Sequence, residues 1–251
     1  MTTKLSNKTE AGFTLVELAI VLMIIGLLIG GILRGQELME NARVTSTIQQ
    51  TKAYDGATTT FRDAYSALPG DITGPTTRLA NCTASPCNVG GNGDGLIAGT
   101  NGAGQITSLA GTIANTATSE NRQFWVHLAA THLISGVSPA PGTQVAWGTD
   151  QPAAKISGGF QVGLVNITGT PAINGHFLIL KNNATTGTIQ EPVGTAAVSP
   201  LRAAQFDRKL DDGLPETGDV IGVSASNSCT GTAYKETVEQ RDCNLLIRVQ
   251  S

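Results

Sequence analysis

Aromatic residues make up only 4% of the 251-residue chain and charged residues 14%, with a formal net charge of -3. Without a basic excess the chain lacks the electrostatic footprint of a nucleic-acid binder, so no nucleic acid is expected as a partner. Histidine is scarcer still, at three. His127 and His132 stand five apart, not the four that would set two zinc ligands on one helical face, and no spacing ties a histidine to a serine or cysteine. A nucleophile elbow and a phosphate-cradling loop are missing too. These gaps argue against an enzyme and against a resident cofactor. The remainder is rich in Thr, Ser and Asn, with 30 glycines, a composition suited to short strands and many turns rather than to a second helical bundle.

What the chain does have is one long apolar run. From Phe13 to Leu33 the only charge is Glu17. At about 1.5 Å per helical residue the run matches a hydrocarbon core of about 30 Å, so it reads as a membrane-spanning helix. Glu17 sits about one turn inside, with no partner apparent in the same segment. A lone charge at a helix centre costs roughly 2.5–3.5 kcal/mol on insertion scales, less near an end, so this carboxylate marks a functional position.

The run Gly12-Phe13-Thr14-Leu15-Val16-Glu17 resembles the processing site of type IV prepilins and of type II secretion pseudopilins. The resemblance implies cleavage after Gly12 by a membrane-embedded prepilin peptidase, methylation of the new N-terminal Phe13, and assembly through the apolar helix with Glu17 as the key carboxylate. It implies as partners the peptidase and methylase, membrane lipid before assembly, an inner-membrane assembly platform, and other subunits in a homo-oligomeric or mixed filament. Physically, cleavage creates an amine at Phe13 that a neighbour's Glu17 can neutralise. Two unit charges about 4 Å apart at an effective dielectric near 20 attract by ~4 kcal/mol. Where many major pilins have a proline, this chain has Arg34, preceded by Gly30-Gly31. Residues 1–12 then form a leader, with Lys4 and Lys8 placing it in the cytoplasm and the head outside it. A secretory signal discards its apolar region, whereas here that region follows the cut and is retained.

Residues 13–66 are expected to be helical, 13–33 in the membrane or filament core and the rest amphipathic, with Val44, Ile48, Tyr54, Ala57, Phe61, Tyr65 and Leu68 at mostly helical spacing. The segment is either one helix of roughly 80 Å or two, broken at Gly30-Gly31 or Gly35. Leu68-Pro69-Gly70-Asp71 ends it. Residues 65–71, 124–128 and 211–215 also resemble islands of a subgroup of large bacterial pilin-like proteins. A globular head then fills residues 67–251. Glu120 to Ile134 reads as a short helix with Phe124 and Leu128 on its packed side, and strands are expected at 144–147, 160–167, 176–180 and 244–249. The expected fold is α+β: a long N-terminal helix packed on an antiparallel sheet.

Four cysteines allow three pairings, and an extracytoplasmic head favours disulfides. Cys82–Cys87 with Cys229–Cys243 is the preferred set, a C-terminal disulfide loop being what the pilin resemblance implies. Neither spacing suits structural zinc. Asn92-Gly93-Asp94-Gly95 alternates oxygen ligands as a calcium loop does, which makes Asn92 and Asp94 calcium candidates. Gly90 stands where the first acid belongs and Asn101 where the last glutamate belongs, so a glycine-rich turn is the preferred reading. Asp211-Asp212 before Gly213 reads as a solvent-facing turn. The functional expectation is a structural subunit of a type IV pilus or pilus-like filament. Alternatives are a type II secretion pseudopilin and, in another class, a membrane-anchored periplasmic binding module that would not be cut at Gly12.

Overall fold

The computed structural model describes residues 12–98, 104–113, 115–116, 118–140, 145–169, 172–185 and 187–249. Of the leader expected at residues 1–12, residues 1–11 with Lys4 and Lys8 lie outside the described residues, as do Gln144 and Asn101. The elements in chain order are α1 (Leu15–Tyr65), α2 (Pro75–Arg78), α3 (Glu120–Ala130), β1 (Gly159–Ile167), β2 (Ile173–Lys181), α4 (Pro200–Leu210), β3 (Val220–Val223) and β4 (Asn244–Arg248). The chain divides into two units, Met1–Ala42 and Arg43–Ser251.

In the first unit α1 runs through Gly26, Gly30, Gly31 and Gly35 without a break. Glycine costs about 1 kcal/mol per site relative to alanine in a helix, too little to interrupt one of 51 residues. In the second unit the later part of α1 buries Val44, Thr47, Ile48, Thr51, Tyr54, Ala57, Thr58 and Phe61, a three-to-four-residue repeat that puts one stripe inward. The threonines belong to that stripe because each hydroxyl bonds back into its own helix: Thr47 to the Arg43 carbonyl (2.8 Å), Thr51 to Ile48 (2.7 Å) and Thr58 to Tyr54 (2.8 Å). A hydroxyl satisfied locally can be buried without a desolvation penalty.

The sheet is four-stranded, in the order β1-β2-β4-β3, with every pairing antiparallel. The α+β architecture is therefore the one expected. Both faces of the sheet are buried. Phe160, Val162, Leu178, Leu180, Leu245 and Ile247 join the core with α1 and α3, whereas Val165, Phe177, Ile179, Ile221 and Leu246 pack with Ile106, Ile113 and Ile189 on the far side. Tyr54 of α1 joins the layers, its ring edge-on to Trp125 of α3 at 5.1 Å and to Phe160 of β1 at 5.5 Å. Phe61, fully buried two helical turns further along the stripe, packs its ring against Tyr65 at 4.7 Å. Phe61→Ala is expected to cost about 3–5 kcal/mol through lost transfer energy and a residual cavity. Denaturant unfolding checks this, and a loss below 1 kcal/mol would mean that the α1 stripe does not anchor the head.

Three expectations are corrected. Residues 145–147 form no strand, and Trp147 makes only an isolated bridge to Gln151; its indole N–H bonds the Asn182 carbonyl at 2.7 Å, which fixes the ring across the start of β1. The third helix stops at Ala130, not Ile134, because His132 takes a left-handed conformation (φ 58°). That helix has no solvent side either: all eleven of its residues are buried. Distant partners hold some of its polar groups, as in the ion pair of Arg122 with Asp150 at 3.1 Å and the bond from the Asn121 carboxamide to the Val162 carbonyl at 2.7 Å. The helix α4 and strand β3 were not anticipated.

Candidate functional site

Glycine 12 and Phe13 precede the helix and are exposed, Phe13 at 91%. A Cβ added at Gly12 would meet nothing within 4 Å, so the chain itself makes no steric demand for glycine there. Thr14 stands just before α1, and its carbonyl accepts the first helical bond from the Leu18 amide at 3.2 Å. Glu17 lies three residues on. Its Oε2 accepts from the Thr14 amide at 2.9 Å and from the Thr14 hydroxyl at 2.8 Å, while the Glu17 amide donates to the Thr14 hydroxyl oxygen at 3.2 Å. This is a capping box, in which Thr and Glu satisfy each other's free helix-terminal donors. The expectation that Glu17 has no partner in its segment is thereby corrected. The sequence signal for this cap is the Thr14-x-x-Glu17 spacing ahead of an apolar run. Position also helps the carboxylate, since a helix N-terminus carries about half a positive charge.

Beyond the cap, Leu15, Val16, Leu18, Ile20, Val21, Leu22, Met23, Ile24 and their successors to Leu33 are all 45–86% exposed. This is the one described helix long and apolar enough to cross a membrane, and none of its apolar window is buried by the rest of the chain. Such a surface far exceeds the patches that a soluble monomer leaves to water. Gly26, Gly30, Gly31 and Gly35 face open space as well. The four-residue steps Gly26 to Gly30 and Gly31 to Gly35 are a spacing that lets a second helix approach closely.

In the second unit Cys82 pairs with Cys87 and Cys229 with Cys243, with Cα separations of 5.0 and 5.8 Å. His127 is buried beside the first pair. Its Nδ1 accepts from the Gly70 amide at 3.0 Å and its Nε2 faces the Cys87 carbonyl at 3.0 Å. Burial pushes its pKa down to about 4, so the ring is a neutral clasp. His132 is exposed.

The calcium candidates turn inward on each other. Asn92 Nδ2 donates to Asp94 Oδ2 at 2.8 Å, the Asp94 amide donates to Asn92 Oδ1 at 3.1 Å, and the Leu96 amide to Asp94 Oδ1 at 2.8 Å. What organises the loop is a pair of buried acids that sequence reading passed over. Asp71 accepts from the Gly93 and Gly95 amides at 2.7 and 2.8 Å, and Glu120 from those of Asn92 and Ala98 at 3.4 and 3.1 Å. The only early signal was that an acid follows the Pro-Gly turn. Asp212 is exposed as expected, whereas Asp211 accepts from the Asp219 and Val220 amides.

Burial pushes Glu120 up to about 7, helped by the nearby Asp71 and Asp94 charges and opposed by the Ala98 amide. A carboxyl whose folded pKa exceeds its unfolded value contributes stability that is complete below the unfolded value, here 4.5, and lost as pH rises through the folded one. Burial raises Asp207 to about 6 with the same sign. His127 acts oppositely, its contribution falling away only below its unfolded value of 6.5. Between pH 6.5 and 8, where only the upper end of the Glu120 titration remains, the head is therefore expected to lose on the order of 0.5–1 kcal/mol, and Glu120→Gln should remove most of that slope in denaturant titrations. Equal slopes in both proteins would contradict the assignment.

A cleft of about 770 Å³ in the second unit is lined by Arg62, Arg78, Arg248, Asp71 and His176, among others. Arg248 pairs with Asp219 at 3.0 Å; Arg78 donates to the Tyr65 carbonyl. Among the described residues no catalytic constellation accompanies this cleft.

A family model described as the prokaryotic N-terminal methylation motif matches residues 7–33. No curated protein and no solved structure matches the chain.

Proposed function

From a chain whose residues 7–33 carry the signal motif of type IV pilins and pseudopilins, we propose a structural filament subunit that is cut after Gly12, methylated on Phe13 and drawn from the inner membrane into a helical fibre. The observation that carries this reading is the exposed apolar helix that opens on a capped carboxylate, one turn from the cut. In the bilayer lipid covers that surface; in a fibre, neighbouring helices do. Each fully buried Leu or Ile is worth about 1.5–3 kcal/mol relative to water, so the segment is held in one apolar environment or the other throughout extraction.

Within that fibre Glu17 has two tasks. It caps its own helix through Thr14, and it offers its charge to the amine of a neighbour's Phe13. Neutralisation in a dry bundle favours the assembled state and fixes the axial register of adjacent subunits. Type IV pili and the shorter periplasmic fibres of type II secretion share this chemistry. Fractionating source cells tests the reading: the subunit is expected in sheared surface fibres if it serves a pilus and in a periplasmic fibre if it serves secretion. Recovery only as single membrane-embedded chains would refute both.

The arginine-lined cleft favours a second reading, a membrane-anchored module whose head binds an anionic ligand. That reading predicts an uncut Gly12.

A further inference from the structure

Lys181 ends β2 on the sheet face that holds Phe177 and Ile179, and Asn244 begins β4 on the face that holds Leu246. The strands are antiparallel with Leu180 opposite Leu245. One further step of that register sets Lys181 across from Asn244 on the same face, where cross-strand Cβ atoms lie about 4.5–5.5 Å apart. Both side chains are buried, at 0% and 1% exposure.

Glu191, also buried, reaches both. Its Oε1 lies 4.0 Å from Lys181 Nζ, and its Oε2 accepts from Asn244 Nδ2 at 3.2 Å. The carboxylate is held by the amides of Asn182 (3.1 Å) and Asn183 (2.8 Å). The Asn244 carboxamide is held as firmly: the Ala197 amide donates to Oδ1 at 2.9 Å and Nδ2 donates to the Ile189 carbonyl at 2.9 Å. Lys181 Nζ also donates to the Thr188 carbonyl. An amine, a carboxamide and a carboxylate are thus enclosed together beside Ile179, Ile189 and Leu246.

We propose that Lys181 and Asn244 condense into an intramolecular amide cross-link between β2 and β4, with Glu191 carrying the proton. The neutral amine attacks Asn244 Cγ, a Nζ–Cγ bond forms, and the carbonyl electron pair moves onto Oδ1, towards which the Ala197 amide points. Glu191 takes a proton from Nζ and returns one to Nδ2; the Cγ–Nδ2 bond breaks and ammonia leaves. Nothing is oxidised or reduced. Burial supports the step by pushing the Lys181 amine down to about 8, against the opposing pull of Glu191, and a desolvated lysine amine is the form that acts as a nucleophile. Holding both groups on opposed strands supplies the proximity that an ordinary amide exchange lacks.

The link would join the two central strands of the sheet, one residue from the Cys229–Cys243 disulfide, and unlike that disulfide it would survive reduction. The test is the intact mass of the purified, reduced full chain, followed by a peptide digest. The wild type is expected to be lighter than its sequence by one ammonia and to yield one joined peptide containing Lys181 and Asn244. Lys181→Met and Asn244→Ala should restore full mass, and Glu191→Gln should leave most molecules unlinked. A wild type of full mass with separate Lys181 and Asn244 peptides overturns the proposal. So does a loss of ammonia without a joined peptide, which places the loss at another side chain. The wild-type reading stands even if a variant fails to fold.

Discussion

Gly12→Leu is expected to leave the chain uncut, with the leader attached and no subunit entering fibres. A side chain at position 12 would meet nothing within 4 Å, and the helix that follows is capped by Thr14 and Glu17, so the variant should insert and fold as the wild type does. What it loses is the cut ahead of the helix cap. Immunoblots of membranes and of sheared fibres check this by size: a single slower band and an empty fibre fraction are expected. Normal processing of Gly12→Leu would count strongly against a prepilin-type peptidase.

Substitutions at Glu17 are expected to act on assembly far more than on insertion, and the capping box allows its two roles to be separated. Glu17→Val removes both the cap and the charge. Glu17→Gln keeps an acceptor at the third helical position, where glutamine also completes a capping box, but removes the charge that pairs with a neighbour's amine. Thr14→Ala takes away the hydroxyl cap, at about 1 kcal/mol, and leaves the charge. If pairing is worth ~4 kcal/mol at close approach, its loss shifts the assembly equilibrium on the order of a thousandfold. Glu17→Val and Glu17→Gln should therefore both yield few or misregistered fibres, while Thr14→Ala assembles with only modest loss. A Glu17→Gln subunit that forms normal fibres by itself would assign Glu17 to capping alone.

The N-terminal half of this account was legible from sequence because its physics is local. An uninterrupted apolar run and one acid at a fixed offset need no tertiary information, and the inward stripe of α1 follows from spacing. What stayed hidden depended on partners distant in the chain. Thr47, Thr51 and Thr58 read as polar, yet their bonds to preceding carbonyls admit them to the core. The helix α3 read as one-sided because Arg122 has no sequence neighbour to announce its ion pair with Asp150. Asp71 and Glu120 gave no motif, since the groups that they hold are backbone amides of residues 92–98. Strand β3 is four residues long with a glycine within it, too short for alternation to register. The elements α1, β1, β2 and β4 carried enough apolar length to be found.

The central claim is that a new amine at Phe13 is made to meet the Glu17 of another copy. Mass spectrometry of the N-terminal peptide from protein isolated from its own cells tests it most directly. The account predicts a chain that begins at an N-methylated Phe13. A chain that still begins with the residues before Gly12 would contradict it, since no amine would then exist at position 13 for a neighbouring carboxylate to neutralise.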